Sequence, residues 1–307
     1  MIADLALAIA ALAVLAVAAD QFITGAARIA TRLGASQLFI GAVLLGIGTS
    51  LPDGLVSTIA AERGDGGLAL GNLIGSNTFN VTVVLGTGAI ILPVAVKMRT
   101  LQREAVYAAG AVILFLAFCF IGLGTVAGIF LLALVPVALW AIRGHPPEPS
   151  HGPIREQEHP LSKELPRALL GLILTVVSSR LLVDASEGLA LEAGISEAVI
   201  GLTLVAIGTS VPELAVSIQA ARRGEGDLLI GNVLGSTLFN CLLIGGIVGI
   251  ISPTTIEIGS LAAAGWLMLV TTVAATLFLA TGRRLVRWEG IALIVIYIVA
   301  TTAVSVA

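Results

Sequence analysis

The chain has 307 residues, 57% of them apolar and 11% charged, with a formal net charge of −3. Soluble domains carry about 25% charged residues, so this composition argues against a soluble enzyme, a nucleic-acid binder or a disordered chain. The composition fits a chain whose solvent is lipid.

A span needs about 20 residues, so this length holds about ten spans with short loops. In chain order the uncharged and weakly charged runs read as helices over 3–32, 36–61, 67–92, 100–121, 125–143, 165–193, 197–221, 227–251, 257–281 and 285–306. The first run starts at Met1 without a basic leader, so no cleavable signal peptide is expected. The uncharged run 105–142 is too long for one span and is expected to turn at Gly122-Leu123-Gly124. Residues 144–164 form the one long polar segment and read as a linker between 1–143 and 165–307. All three histidines lie in it, so none is available inside the spans. Cys119 and Cys241 sit in apolar runs and make no disulfide framework.

With the amino terminus outside, 14 of the 16 Lys and Arg residues fall on the inner side. This positive-inside bias predicts a multi-pass plasma-membrane protein with both termini extracellular and the linker cytoplasmic.

The chain repeats itself at an offset of 160 residues. GAVLLGIGTSLPD (41–53) matches GLTLVAIGTSVPE (201–213), and GNLIGSNTFN (71–80) matches GNVLGSTLFN (231–240). A five-helix unit is odd, so its second copy enters the membrane from the opposite side. The expected fold is therefore an all-α polytopic membrane protein, ten transmembrane helices as two inverted-topology five-helix repeats.

The repeated segments are the polar ones within an apolar background. Thr49 and Ser50 precede Asp53 by four and three residues, so all three can share a helix face, and Thr209, Ser210 and Glu213 repeat this. Asn72, Ser76 and Asn80 recur every four residues, as do Asn232, Ser236 and Asn240. These are hard oxygen donors, which suit Ca²⁺, Na⁺ or a similar cation and not zinc or copper. Pro52 and Pro212 lack an N–H, so within a helix they would free the carbonyls of Gly48 and Gly208. Glycines 46, 48, 71, 75, 208, 231 and 235 also let helices approach closely.

An ionised carboxylate inside a membrane is costly and marks function by default. Arg180 is the one candidate counter-ion within a span, and Asp184 lies four residues from it, which makes a local Arg180–Asp184 pair the expectation. Asp53 and Glu213 are then left as a site of charge −2. Occupied by Ca²⁺, by protons or by several Na⁺ it would be neutral and able to switch sides, and empty it would not. A catalytic pair of acids and an open channel are weaker readings, because rows of Thr, Ser and Asn suit coordination and a duplicated site suits alternating access.

GIGTSLPD and AIGTSVPE, each followed by GN-x-x-GS-x-x-FN, closely resemble the two alpha repeats of the calcium/cation antiporter superfamily, nearest to its prokaryotic sodium/calcium exchangers. The resemblance implies two inverted five-helix repeats, ions bound among helices 2, 3, 7 and 8, and long helices 1 and 6 sliding against that core. It implies ligands at Thr49, Ser50, Asp53, Ser76 and Asn80, and at Thr209, Ser210, Glu213, Ser236 and Asn240. It adds backbone carbonyls at Gly46 and Ala206. The central Ca²⁺ would lie between Asp53 and Glu213, with Na⁺ in overlapping and flanking sites.

Two positions depart from that pattern. Asp53 stands where the family usually has Glu, and Asn240 stands where exchangers often carry Asp. The implied protein is not an enzyme and needs no cofactor. It is a monomer in a lipid bilayer that exchanges Na⁺ for Ca²⁺, extruding Ca²⁺. Exchange of Ca²⁺ or another cation for H⁺ is the alternative, disfavoured because no acid follows the GN motif.

Overall fold

The computed structural model describes residues 2–95, 104–143, 160–192, 206–256, 260–282 and 284–306. Most of the polar segment 144–164, and the expected helix starts at 100, 197 and 257, lie outside the described residues. Within them the chain is a helical membrane protein. Six helices are long and apolar enough to cross a membrane, or seven if one bent pair forms a single span.

The order is α1 (Ile2–Leu33), α2 (Gln37–Thr49), α3 (Leu51–Glu62), α4 (Gly66–Ile91), α5 (Val106–Ile121), α6 (Thr125–Arg143) and α7 (Leu161–Glu192). The short α8 (Ala206–Gly208) follows, then α9 (Val211–Arg222), α10 (Gly226–Ile251), α11 (Ser260–Gly282) and α12 (Arg287–Val306). Burial sorts them into layers. The spans α4 and α10 are 78% and 72% buried, whereas α1, α6, α7 and α11 lie between 22% and 33%. The two helices that carry the Asn-Ser-Asn rows are therefore central, and α1, α6, α7 and α11 form the outer wall. Leu5, Ile9 and Leu12 of α1 face outward, an arrangement that lipid stabilises and water would not.

The expected helix 36–61 is broken. α2 and α3 meet at Ser50 with a bend of 46°. Pro52 is the second residue of α3, where no N–H partner is needed. It opens a new helix and does not interrupt an old one. Pro212 is likewise the second residue of α9. α7 begins at Leu161, earlier than the polar composition suggests. The amides of Lys163 and Glu164 bond the Pro160 carbonyl, and the Glu164 carboxylate is buried between Arg28 and Arg167 at 3.1 and 2.8 Å.

Two helices share one kind of ending. α3 and α9 both stop in the same motif. Gly64 (φ 78°) and Gly224 (φ 74°) take a left-handed conformation that suits glycine. Asp65 and Glu225 then donate their amides to the carbonyls of Ala60 and Ala220, each at 2.9 Å. β1 (Val94–Ala95) pairs antiparallel with β2 (Arg284–Leu285), tying the end of α4 to the α11–α12 connection. A second tie joins Leu123 to Thr254, with reciprocal amide bonds of 2.9 Å. That tie falls on the expected α5–α6 turn, where Gly122 takes φ 137°.

Lipid offers apolar helices no hydrophobic drive to associate, so close packing must hold them. α2 and α10 cross backbone to backbone. A Cβ on Gly235 would lie 2.4 Å from the Ala42 carbonyl oxygen, and one on Gly231 would lie 2.5 Å from that of Leu38. α1 and α7 cross in the same way, with a Cβ on Gly171 2.7 Å from the Phe22 amide nitrogen. Polar clamps supplement this packing. Arg223 donates twice to Asp20 of α1, at 2.6 and 2.7 Å, and Gln219 donates to the Ala16 carbonyl at 3.2 Å. The expected Arg180–Asp184 pair is present at 3.2 Å and is exposed.

Gly235→Ala forces the α2–α10 contact apart. Overpacking of this kind costs about 1–3 kcal/mol, so the variant should unfold at a lower temperature in detergent than Gly67→Ala, whose nearest contact is 3.6 Å away. Equal melting temperatures would refute the contact.

Candidate functional site

The break at Ser50 sets the site's geometry. It ends α2 with Thr49 and Ser50 and starts α3 with Asp53 in its first turn. Ser210 and Glu213 hold the same places before and within α9. Asp53 and Glu213 are both fully buried, as are Ser76, Asn80, Ser236 and Asn240.

Asp53 is met from both halves of the chain. Ser76 donates to Oδ1 at 2.9 Å, and Asn240 donates through Nδ2 to Oδ2 at 3.0 Å. Glu213 is met differently. Ser50 donates to its Oε1 at 3.0 Å, while Oε2 has no hydrogen-bond partner. The residues equivalent to Asp53's donors are Ser236 and Asn80. Ser236 donates to the Gly46 carbonyl at 3.2 Å, and both polar atoms of the Asn80 side chain lack a partner. Ser210 Oγ and Asn240 Oδ1 are also buried without partners.

The expectation that Thr49, Ser50 and Asp53 act as one face is modified by the bend. Thr49 Oγ1 lies 3.2 Å from Asn232 Oδ1 and Ser50 bonds Glu213, so both reach into the other half. Thr209 reciprocates, donating to Asn72 Oδ1 at 3.4 Å with Ser76 Oγ at 3.5 Å. Of the two expected carbonyl donors, Gly46 accepts from Ser236. Ala206 is the first residue of α8.

Asn72 and Asn232 do more than continue a row. Asn72 Nδ2 holds the Asp53 carbonyl at 3.2 Å and Ser57 Oγ at 3.0 Å. Asn232 Nδ2 holds the Glu213 carbonyl at 3.4 Å and Ser217 Oγ at 3.1 Å. Each amide locks the backbone that carries a carboxylate. Ser57 and Ser217 kept the 160-residue offset in the sequence, which was the available signal for this role. Asn80 and Asn240 each open a π-helical turn, Asn80–Val84 and Asn240–Ile244, a widening frequent at functional sites.

Buried polar atoms without partners mark a place where water or an ion belongs. Here they are oxygens and amides from both halves, beside two carboxylates. Among the described residues no three His, Cys, Asp or Glu side chains gather to hold a metal. A cation at this site would be held chiefly by neutral hard oxygens, with two acids supplying the charge.

The family model described as sodium/calcium exchanger protein matches residues 4–142 and 166–306. The chain belongs to this exchanger family. It is 34% identical over 279 residues to the inner membrane protein YrbG of Escherichia coli, covering 84% of this chain and 82% of that one. It is 29% identical over 322 residues to the sodium/calcium exchanger MaX1 of Methanosarcina acetivorans, covering 91% and 92%. Its fold matches a solved structure of the sodium-calcium exchanger NCX_Mj with a TM-score of 0.87 at 30% identity, over 98% of each chain. Asp53 and Asn240 are hydrogen-bonded to each other across the two halves of the chain. An acid at 240 would remove that donor and set a second negative charge against Asp53.

Asn72→Ala leaves the Asp53 carbonyl and Ser57 without this donor. It should lower stability by about 1–3 kcal/mol. Asn80→Ala removes no bond from the ion-free protein and should cost less. Thermal unfolding of the two variants in ion-free detergent checks the order, and a larger loss at Asn80 would contradict it.

Proposed function

We propose that this chain is a secondary antiporter that exchanges Na⁺ for Ca²⁺ by alternating access, with Ca²⁺ leaving the cell. One observation carries the reading: two buried carboxylates, one from each half, share a shell of hard oxygens, several of which have no partner. Membership of the exchanger family supports the same reading.

The proposed ligands are the side-chain oxygens of Thr49, Ser50, Asp53, Ser76, Asn80, Thr209, Ser210, Glu213, Ser236 and Asn240, with the carbonyls of Gly46 and Ala206. Ca²⁺ would draw on Asp53 and Glu213 together, and Na⁺ on overlapping and flanking subsets. Ion binding would have Ser236 share the Gly46 carbonyl and Ser50 release Glu213, the first a neutral hydrogen bond of about 0.5–1.5 kcal/mol net and the second one to a charged group, about 1.5–3 kcal/mol. With both acids ionised the empty site carries −2 and stays on its side of the barrier. One Ca²⁺ or several Na⁺ cancel the charge and let it switch, so ion movement in one direction is tied to movement in the other.

The proposed frame is ten spans as two inverted five-helix repeats, 1–143 and 165–307, joined by a cytoplasmic linker over 144–164. The distribution of Lys and Arg supports extracellular termini in a plasma membrane. The transporter works as a monomer, with no cofactor.

Proteoliposomes test this directly. A Na⁺ gradient should drive ⁴⁵Ca²⁺ uptake, and Glu213→Ala should abolish it while the protein still inserts. Uptake driven by a pH gradient and indifferent to Na⁺ would replace Na⁺ coupling with proton coupling. Asp53→Glu should raise Ca²⁺ affinity by restoring reach for a two-oxygen grip, measured as a lower half-saturating Ca²⁺ concentration. Unchanged affinity for every ion would show that Asp53 does not tune the site.

A further inference from the structure

Outside the ion site, α1 and α7 leave a crevice of about 540 Å³ between them on the outer wall. That lies in the range of about 300–1,000 Å³ typical of pockets that hold a small ligand. Its wall is strongly graded. Ala13, Val14 and Val17 of α1 and Leu170 and Leu174 of α7 line the apolar part. Gln21 and Arg167 line it as well. The two helices run antiparallel, with Phe22 against Gly171 and Gly25 against Ala168. Gln21 and Arg167 therefore share one end of the crevice, and Ala13 and Leu174 share the other. One end is polar and cationic and the rest is hydrocarbon.

The polar end holds more described cations than anions. Arg28 and Arg167 both bond the single carboxylate of Glu164, at 3.1 and 2.8 Å. Glu164 is buried, while the two arginines keep 21% and 34% of their side chains exposed. The Nε of Arg28 is buried without an acceptor. Among the described residues two guanidiniums meet one carboxylate there, an excess of positive charge, and Lys163 and Arg32 are exposed nearby in sequence. A guanidinium with spare donors matches the fork geometry of a phosphate.

We propose that this crevice binds an anionic phospholipid, with its phosphate at Arg167 and Arg28 and one acyl chain lying along Val14, Val17, Leu170 and Leu174. The grading of the wall matches a lipid lying in its own leaflet, which a free anion or a soluble apolar molecule would not use along its whole length. The site is independent of which ions the central site carries.

Native mass spectrometry of the delipidated full chain tests this. The probes are phosphatidylglycerol, phosphatidylcholine with the same acyl chains, and glycerol phosphate as the bare headgroup. Phosphatidylglycerol should be retained about fivefold more strongly than phosphatidylcholine, the effect of about one basic residue at an anionic surface. Arg167→Gln should erase that preference, with Glu164 still held by Arg28. Val14→Trp, a change on the exposed lipid face, should reduce retention of both lipids. Equal retention of the two lipids by the unaltered chain would overturn the proposal. So would a preference that survives Arg167→Gln, displacement by glycerol phosphate as effective as by the lipid, or retention indifferent to Val14→Trp.

Discussion

A carboxylate taken out of water loses several kcal/mol of solvation unless donors replace it, and among the described residues this chain buries two of them completely. Asp53 and Glu213 have zero exposure, so the surrounding helices must bring polar groups to them through an apolar interior. That requirement accounts for the arrangement. The central helices α4 and α10 carry the Asn-Ser-Asn rows, and the broken α2–α3 pair presents Ser50 and Asp53 from a bend.

Bringing donors that close depends on small residues. Asn240 can reach Asp53 and Ser50 can reach Glu213 only if α10 and α2 touch, and they touch at glycine. Gly231 and Gly235 face the Leu38 and Ala42 carbonyls at distances no side chain tolerates. The glycines and the polar rows are thus one device, the first setting the spacing and the second using it. The helices α4 and α10 widen into π turns at Asn80 and Asn240 without ending.

Much of this was legible in the sequence. The 160-residue offset, the hard-oxygen donor rows and the two lone acids are all written locally, and the central burial of those residues follows from where they fall. Partnership across the halves was not legible. Spacing within GTSLPD puts Thr49 and Ser50 near Asp53 on a straight helix, but the 46° bend lets them bond Asn232 and Glu213, residues of the other repeat. The difference between the two acids was equally hidden. Equivalent donors surround them in sequence, yet Asp53 takes two and Glu213 takes one from a different residue, because side-chain length and the neighbour's backbone decide among similar options. The burial of Glu164 escaped composition too, since a charged segment reads as solvated until its arginine partners arrive from α1 and α7.

The clamp between α1 and α9 has a consequence for the two halves taken together. Asp20 and Arg223 form a two-bond ion pair. Shifted by the repeat offset, those positions are Arg180 and Arg63, two like charges, and Gln219 becomes Ile59. The duplicated unit therefore has this fastener at one pair of positions and no equivalent pair at the matching positions Arg180 and Arg63. Gene duplication supplies two matching halves, but this substitution makes them unequal in energy. The contact of α9 with α1 is thus fixed by an ion pair that the repeat does not duplicate.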